Sequence, residues 1–431
     1  MHRIFKKYAP VSAALLPNAE FDDIKLVLSM FLPWNWSKWR SGKEISELEE
    51  KFKEYFSVKH AFSFSSGRVG LYAILKSISI FLGSAFTVQR SEIIIQAYTT
   101  IAIPIAVKQA GFVPVYADIK EDTYNIDPVK VEEKITENTK AIIVQHTFGI
   151  PAEMDKITAL CQKHNLLLIE DCAHSLGAEF GGKKTGTFGD AAFFSFGRDK
   201  IISSTSGGMA IVKDQILAEK IKKIQSNMDF PPLKWIFQQL AHPLVFWCSL
   251  PVYYFFSLGK IKILFWQKIG LISRAYSAEE KTGNAVDFYG YKFPNILAVL
   301  AFNQFKKMER FNDHRRKIAE IYGSSFKNHT EIIMPAISSA AKSTFLYYTI
   351  QVARRDKLLN FAAEKHIILG DWFPGALGPK GIEEEKFGYK KGDCQIAERV
   401  GLKSLDLPTN INTSEEDARK VADLIKEFFK S

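Results

Sequence analysis

Short apolar runs alternate with amphipathic stretches along the chain between Ala61 and Asp214. The runs are rich in β-branched and aliphatic residues, which is typical of strands buried on both faces of a sheet. Helical spacing occurs between them, at Pro128–Ile135 and at Met154–His164. The alternation predicts an α/β fold in which helices flank a mostly parallel central sheet. The six runs are EIIIQ, VPVYADI, AIIVQHT, LLLIEDC, AAFFSF and GMAIVKD.

A different pattern follows Tyr291. It predicts a long amphipathic helix over Asn295–Ile321, then a smaller mixed segment, and a final helix that begins near Thr413 with a cap and an acidic first turn. We therefore expect a smaller C-terminal α+β domain after the large one. The predicted divisions are an N-terminal arm at 1–45, a large domain at 46–228, an apolar insert at 229–285 and a small domain at 286–431.

The insert contains a long uncharged run, Ile236–Leu258, with lysines on both sides. The run could just span a bilayer, but Pro243 and Pro251 interrupt it. Six of the seven tryptophans lie in the arm or in the insert, and Trp with Lys around apolar residues is typical of an interfacial anchor. Three interpretations stay open: association of residues 232–268 with a membrane surface, a buried subunit interface, and a true span.

The bulk composition narrows the possible partners. Of the 431 residues, 47% are hydrophobic and 24% are charged, as in an ordinary globular protein. The net charge of +10 suits anionic partners, but no basic run carries interleaved aromatic residues, so we expect no nucleic acid partner. The four cysteines form no CxxC pair, and the N-terminus lacks the apolar core of a signal peptide. These features predict a cytoplasmic protein without disulfides or a bound metal.

Candidate chemistry concentrates between Ile169 and Lys200. Asp171 ends one predicted strand and Lys200 follows another, so we expect both at the edge where α/β sheets bind ligands. A carboxylate beside a pyridine nitrogen and a lysine that forms an imine are the groups that pyridoxal 5'-phosphate (PLP) chemistry needs. From spacing alone, a buried Asp171 and a surface Lys200 with no shared role explain the pattern equally well.

The segment IEDCAHSLGAEFGGKKTGTFGDAAFFSFGRDK resembles the DegT/StrS-type sugar aminotransferase family, of PLP fold type I. That family shows IEDAAxAxGA, then GTFGDxxxFSF, then a lysine four residues after the last Phe. The resemblance extends over residues 41–225 and 288–430, and it implies a PLP-dependent aminotransferase with an α/β fold. The matching positions are Asp171, His174, Gly186–Asp190, Ser195, Phe196 and Lys200.

The resemblance implies three catalytic residues. Lys200 would hold PLP as an imine and later move a proton between the substrate and the cofactor. Asp171 would pair with the pyridine nitrogen of PLP. His174, one helical turn further on, would lie near the ring and its phenolic oxygen. The alternative for His174 is a histidine that only packs in the core or caps a helix.

Four residues would bind the phosphate of the cofactor. Ser66, Gly67 and Arg68 open a predicted helix, whose first backbone N–H groups suit an anion, and Ser195 would add a hydroxyl. The alternatives are a plain helix cap for the Ser-Ser-Gly turn and a solvent-facing position for Arg68. Gly207–Gly208 match a glycine pair of the family, where side chains would crowd the cofactor.

Several positions depart from the family pattern. Arg68 stands where most members have Thr. Thr100 replaces the aromatic residue that usually stacks on the pyridine ring, and Tyr98 is a candidate substitute. Gly290 replaces an Asn that usually reaches the phosphate from the partner subunit, and Arg198–Asp199 replaces the more usual Pro-Thr before the lysine. These changes indicate a divergent subgroup that keeps the lysine.

The resemblance also implies a reaction and an assembly. An amino group would pass from glutamate, the expected donor, to a keto sugar linked to a nucleotide, in the synthesis of a surface polysaccharide. Relatives of this kind are homodimers, and the segment around Phe288–Asn295 corresponds to the part that crosses to the partner. Two alternatives stay open: a non-catalytic PLP-binding regulatory or scaffold protein, and a PLP enzyme that acts on another cyclic ketone.

Overall fold

Seven strands form the central sheet in the computed structural model, which describes residues 8–13, 15, 18–273, 276, 278–283 and 290–430. The order across the sheet is β1-β7-β6-β5-β4-β2-β3, and β7 alone runs antiparallel to its neighbours. The predicted α/β fold with a mostly parallel sheet is therefore confirmed. The strands are β1 (His60–Phe64), β2 (Glu92–Gln96), β3 (Val113–Ala117), β4 (Thr139–Gln145), β5 (Leu167–Asp171), β6 (Ala191–Ser195) and β7 (Gly208–Val212).

Six of these strands coincide with the apolar runs in the sequence. All residues of β7 and nearly all of β4 are buried, which explains why their sequences show no polar alternation. The sequence prediction missed β1. This strand lies at the edge of the sheet, and it mixes buried with half-buried positions and includes the polar residues His60 and Ser63.

Helices lie on both faces of the sheet. Ile93 and Ile95 of β2 pack in one buried cluster with the helix that begins at Gly67, whereas Ile94 packs in another with the helix that begins at Met154. The described helices are α1 (Phe21–Met30), α2 (Glu44–Phe56), α3 (Gly67–Leu82), α4 (Ala102–Gln109), α5 (Pro128–Glu132), α6 (Met154–His164), α7 (Gln215–Ser226), α8 (Leu233–Ser249), α9 (Leu258–Lys268), α10 (Ala278–Lys281), α11 (Asn295–Phe305), α12 (Met308–Phe326), α13 (Arg355–Glu364), α14 (Gln395–Lys403) and α15 (Glu415–Lys430).

The prediction of one long helix over Asn295–Ile321 is wrong. The structure has two helices there, α11 and α12, with a break at Lys306–Lys307. Leu297 of α11 is buried in the large core, whereas Ile318 and Tyr322 of α12 are buried in a second core. Because of the turn between the helices, the apolar residues of α11 pack in the large core and those of α12 pack in the second core. The apolar periodicity of the sequence does not show this change of partner.

The second core organises the smaller C-terminal α+β part. Strands Tyr348–Gln351 and Ser404–Leu407 pair antiparallel and bury apolar side chains against α12, α13 and α15. Helix α15 begins with the predicted cap, because the Ser414 hydroxyl accepts a hydrogen bond from the backbone N–H of Asp417 (3.1 Å).

The domain boundaries stay predictions, and the one at 285/286 falls outside the described residues. Further short pairings join Val11–Ser12 to Ile367–Ile368, Thr99–Thr100 to Leu377–Gly378, and Glu179–Phe180 to both Lys183–Lys184 and Ala341–Lys342.

The uncharged run of the insert does not form one continuous helix. It is divided between α8, which contains Pro243, and a 3-10 turn at Leu250–Val252 that precedes α9. The segments pack tightly, since a Cβ on Gly259 would lie 2.3 Å from the carbonyl oxygen of Ser249. This folded helical pair differs from a single straight span, which needs about 20 consecutive helical residues.

Candidate active site

Two ionisable side chains lie near the carboxyl ends of the paired strands β5 and β6. Asp171 is the last residue of β5, and Lys200 lies on the loop that follows β6. The buried Asp171 carboxylate accepts a hydrogen bond from the backbone N–H of Ala173 (3.0 Å). Burial raises the pKa of Asp171 to about 6, while this hydrogen bond and the charge of Lys200 act in the opposite direction. The two sequence-predicted groups therefore interact electrostatically.

His174 lies one turn beyond Asp171 and is also buried. Its Nδ1 accepts a hydrogen bond from the backbone N–H of Phe148 (3.3 Å), and its ring stacks on the Phe148 ring at a centroid distance of 5.7 Å. Burial, with a smaller effect from the charge of Lys200, lowers the pKa of His174 well below its ordinary value. The imidazole is therefore neutral, and its proton lies on Nε2, which is able to donate.

Glu170, the residue before Asp171, stabilises the loop that contains the GTFGD motif through hydrogen bonds. The Glu170 carboxylate accepts hydrogen bonds from the backbone N–H groups of Gly186 (2.7 Å), Phe188 (2.7 Å) and Gly189 (2.8 Å). It also lies 3.1 Å from Nε2 of His146. Glu170 therefore holds the loop between β5 and β6 in place. Because these two strands pair in parallel, their carboxyl ends lie at the same edge of the sheet.

A backbone cradle lies beside these groups, where α3 begins at Gly67. The hydroxyl of Ser66 caps the helix by accepting a hydrogen bond from the backbone N–H of Val69 (3.3 Å), so the capping alternative for Ser66 describes what the structure contains. A Cβ on Gly67 would lie 3.0 Å from the Cβ of Ser195, at the end of β6. Three predicted phosphate residues therefore converge at one helix N-terminus.

The fold leaves no room for side chains at the paired glycines Gly207 and Gly208. A Cβ on Gly207 would lie 2.6 Å from the ring of Phe293, and a Cβ on Gly208 would lie 2.4 Å from the backbone nitrogen of Gly67. Side chains at these positions would thus collide with the fold. The expectation that side chains at these positions would also crowd the cofactor stays a prediction.

Arg68, the fourth predicted phosphate residue, forms an ion pair with Glu280 from the end of the insert. Its guanidinium also lies 5.9 Å from the ring centroid of Tyr276. The hydroxyl of Tyr276 is 2.5 Å from that of Thr100, at the position where relatives usually have the stacking aromatic. The last part of the insert therefore reaches the cradle, a contact that no local sequence signal indicates.

Tyr98 does not have a free ring face for stacking on a cofactor. Its hydroxyl donates a hydrogen bond to the hydroxyl of Ser404 (2.7 Å), and its ring packs edge-on against Phe148 and Phe373 at centroid distances of 6.1 and 5.1 Å. Only 1% of Tyr98 is exposed. This arrangement argues against Tyr98 as the substitute for the missing aromatic residue.

Two aromatic residues of the C-terminal part approach Lys200 and were not identified from the sequence. The ring centroid of Trp372 is 5.5 Å from Nζ of Lys200, and the hydroxyl of Tyr347 is 3.3 Å from Oδ2 of Asp199. Their rings stack on each other at 6.1 Å. One signal was available for Trp372, because it is the single tryptophan outside the arm and the insert. Nothing in its sequence context marks Tyr347.

Comparisons with known proteins agree with this geometry. The chain matches the DegT/DnrJ/EryC1/StrS aminotransferase family over residues 28–229 and 265–426, which leaves the whole uncharged run outside the match. It is 28% identical over 430 residues to the GDP-perosamine synthase of Escherichia coli O157:H7, covering 98% of this chain and 99% of that protein. It is also 28% identical over 397 residues to a pleiotropic regulatory protein of Geobacillus stearothermophilus, covering 91% of each.

A solved structure has the same fold. It is that of a Helicobacter pylori aminotransferase involved in the biosynthesis of pseudoaminic acid, with a TM-score of 0.73, 23% identity and coverage of 98% of both chains. The match to the family spans both the residues around Lys200 and the C-terminal part that approaches them. The chain therefore belongs to the DegT/DnrJ/EryC1/StrS aminotransferase family.

Proposed function

We propose that this protein is a PLP-dependent transaminase that moves an amino group from glutamate to a nucleotide-linked keto sugar, in the synthesis of a surface polysaccharide. The observation that carries the proposal is that Asp171 and Lys200 lie at the ends of two paired strands and interact electrostatically, beside a helix start that suits a phosphate. Family membership supports amino transfer, and the GDP-perosamine synthase relative supports a sugar as the acceptor.

The residues at this site fit PLP. The start of α3 packs closely against the end of β6, since a Cβ on Gly67 would lie 3.0 Å from the carbonyl oxygen of Phe194. Beside it, Nε of Arg68 is buried and has no hydrogen-bond partner among the described residues. A buried donor without a partner, next to the N-terminus of a helix, is what a phosphate group would satisfy.

PLP, when bound, supplies an electron sink for the charge left on a substrate carbon after a proton is removed. Asp171 would hold the proton of the pyridine nitrogen, since an anion close to this nitrogen favours its protonated form. His174, neutral because it is buried, would donate its Nε2 proton to the phenolic oxygen. Lys200 would hold the cofactor covalently and, when released, carry a proton at the substrate carbon.

The reaction can be followed by the visible absorption of the PLP-loaded protein. Glutamate should remove the band of the loaded enzyme, and a keto sugar carried on GDP, dTDP or UDP should restore it. A protein that binds PLP but does not respond to any amino donor would instead support the regulatory or scaffold alternative. A response to glutamate without a response to any keto sugar would support the alternative of another cyclic ketone.

Arg68→Thr is expected to raise the dissociation constant of PLP by about tenfold or more, because a hydrogen bond to a charged group contributes about 1.5–3 kcal/mol. Titration of the cofactor-free protein with PLP measures this constant. Glu280→Gln is the matched control. It removes the carboxylate that now pairs with Arg68 and would compete with the phosphate, so PLP binding should be unchanged or tighter. An unchanged constant in Arg68→Thr would support a surface role for Arg68.

We propose that the protein is a homodimer. The chain that follows residue 290 lies beside the cradle. There the backbone N–H of Ser65 donates a hydrogen bond to the carbonyl oxygen of Tyr291 (3.1 Å), and Lys292 forms an isolated antiparallel β-bridge with Phe64. The stretch just before it, 284–289, lies outside the described residues, and with it Phe288 of the predicted crossing segment. Because the described part of the predicted crossing segment, residues 290–295, adjoins the cradle, we propose that it contributes to the site of a partner.

We further propose that the protein works on the cytoplasmic face of a membrane. The arm and the insert pack together through Phe21 on Trp247 and Phe31 on Phe237, with ring centroids 6.5 and 5.4 Å apart. Phe256, at the turn between α8 and α9, is 82% exposed. A group of exposed apolar side chains is typical of a surface that binds another protein or a membrane. Other exposed apolar residues of the arm and the insert include Trp34, Trp36, Ile261, Leu264, Phe265 and Ile269.

The charge of this surface favours an anionic membrane over a second copy of the chain. No acidic residue occurs between Asp229 and Glu279, whereas Lys260, Lys262 and Lys268 are exposed on α9. If two copies of this surface packed together, their lysines would lie close to one another and repel. Each lysine near an anionic lipid surface instead contributes about 1 kcal/mol of attraction.

A span of the bilayer has less support. Among the described residues, one helical stretch, Gly67–Ala85, has the length and apolarity of a membrane span, but half of it is buried in the protein. This stretch begins at the cradle and packs in the large core, which is typical of a core helix. The proposed contact is therefore a helical pair that lies in the headgroup region.

Co-sedimentation with liposomes tests the membrane proposal. Wild-type protein should pellet with vesicles that contain phosphatidylglycerol, and a variant that lacks residues 232–268 should stay in the supernatant. Ile261→Ser combined with Leu264→Ser and Phe265→Ser should weaken pelleting, because all three side chains are more than half exposed (57, 64 and 53%). The matched control changes three exposed apolar residues elsewhere, Val129, Ile216 and Leu402, to Ser.

Sedimentation velocity of the same proteins without lipid measures their assembly. A dimer is expected for the wild type and for the deletion variant alike, because the proposed crossing segment lies outside the deleted residues. A wild type that ignores anionic vesicles and forms a larger oligomer than the deletion variant would contradict the membrane proposal. It would show instead that the apolar surface is a subunit interface.

A further inference from the structure

A second carboxylate lies directly at the reactive lysine. Oδ2 of Asp199 is 3.2 Å from Nζ of Lys200 and 3.3 Å from the hydroxyl of Tyr347. The side chains of Asp199 and Lys200 are only 13% and 15% exposed, so water screens their interaction weakly. Trp372 presents its ring to the same amino group at 5.5 Å. A carboxylate and an aromatic ring face both favour the ammonium form of a lysine.

The other charged groups around this pair are engaged elsewhere. Asp171 and His174 act on the lysine only through space, and the Asp171 carboxylate accepts a backbone hydrogen bond. Arg198 and Arg315 act on Asp199 through space, but their hydrogen bonds go to other groups. In the described part of the chain, the ion pair with the lysine is the only one that Asp199 makes.

We propose that Asp199 is a positioning residue for Lys200, which holds the amino group of the lysine as an ammonium ion against Tyr347 and Trp372. The phenol of Tyr347 donates to the same oxygen and keeps the carboxylate in this orientation. The family usually has Thr at this position, and Thr carries no charge. The charge at the lysine is therefore a property of this chain that its family membership does not supply.

The proposal has a consequence for the uptake of PLP, and in this respect it rests on the proposed function. The ammonium ion must first give its proton to Asp199 or to water. The free amine of Lys200 would then be able to hold PLP through an imine bond to its aldehyde carbon, with the aldehyde oxygen lost as water. Asp199 slows this uptake at neutral pH, because it stabilises the form of the lysine that cannot add to an aldehyde.

Competitive labelling with acetic anhydride tests the proposal without any cofactor. Mass spectrometry of the peptide that contains Lys200 gives the reactivity of its amine as a function of pH. In Asp199→Asn the midpoint of this profile should fall, because the amine of Lys200 loses the opposite charge that lies 3.2 Å away. Below the midpoint, this variant should react faster than the wild type.

Three further variants make the result specific. Asp199→Glu keeps the charge and should restore the wild-type midpoint. Tyr347→Phe keeps the carboxylate and should shift the midpoint less than Asp199→Asn does. Asp371→Asn removes a negative charge from the residue next to Trp372 and should leave the midpoint unchanged.

Equal midpoints for the wild type and Asp199→Asn would overturn the proposal. The rate of PLP uptake, measured at pH 7 by visible absorption, should rise in Asp199→Asn in parallel with the labelling. A wild type that takes up no PLP at any pH would contradict the proposed function. The labelling result would still decide the role of Asp199, because it does not depend on PLP.

Discussion

Lys200→Ala is expected to abolish amino transfer, with activity reduced by about 10⁴-fold or more, because the variant loses both the covalent attachment of PLP and the group that moves the proton. The visible band of the PLP-loaded protein should be absent as well. Donor-dependent formation of the amino sugar and the absorption spectrum measure the two losses. An Ala variant that keeps even a tenth of the wild-type activity would show that another residue is the nucleophile.

Lys200→Arg separates the chemistry from the stability of the site. The Ala variant leaves Asp199, only 13% exposed, without its ion-pair partner, which can lower stability. Arg restores a positive charge there, but a guanidinium stays protonated at neutral pH, so it cannot form the link to PLP. We expect Lys200→Arg to unfold at the wild-type temperature and to be as inactive as Lys200→Ala. Recovery of activity in the Arg variant would contradict the assigned role.

Asp171→Asn is expected to lower kcat by about two orders of magnitude or more, comparable to the loss of another group that stabilises charge in a transition state. The amide cannot favour the protonated pyridine nitrogen, so the ring accepts charge less well. PLP should still bind, since its phosphate and its link to Lys200 remain. Steady-state kinetics at saturating donor and acceptor measure the change, and an unchanged kcat would eliminate this role for Asp171.

The pH dependence of stability distinguishes this role from a structural one. Burial raises the pKa of Asp171 to about 6 from an ordinary value of 3.8, so the folded state without cofactor favours the protonated form. The ionised carboxylate therefore costs stability at pH 7, and this cost disappears as the pH falls through 6 towards 4. Asp171→Asn should leave the unfolding temperature at pH 7 unchanged or raise it.

Glu170→Gln is the matched contrast to Asp171→Asn, because it removes the adjacent carboxylate on the same strand. Glu170 accepts three backbone hydrogen bonds from the loop before β6, and an amide cannot accept all of them. This variant should therefore unfold at a lower temperature. If both variants lose stability to the same extent, the carboxylate of Asp171 is structural, and its loss of activity says little about the cofactor.

The central strands and the strand ends that form the candidate site could be predicted because their signals are local. A strand buried on both faces needs a short continuous apolar run, so β2 to β7 were visible in the sequence, whereas the edge strand β1 was not. Asp171 and Lys200 were found because each follows such a run within a recognisable motif. Their neighbour Asp199 was noticed only as a departure from the family.

The sequence by itself determined the class of fold and the family, and it supplied the residues that are proposed to bear the reaction. Only the tertiary structure decided which side chains surround them. Tyr347 reaches Asp199 and Trp372 reaches Lys200 from the C-terminal part, and Glu280 reaches Arg68 from the end of the insert. These partners are far apart in the chain and meet only because the second core and the insert pack back on the sheet. A local pattern reports the burial and periodicity of its own segment, and it carries no information about which distant segment will cover it.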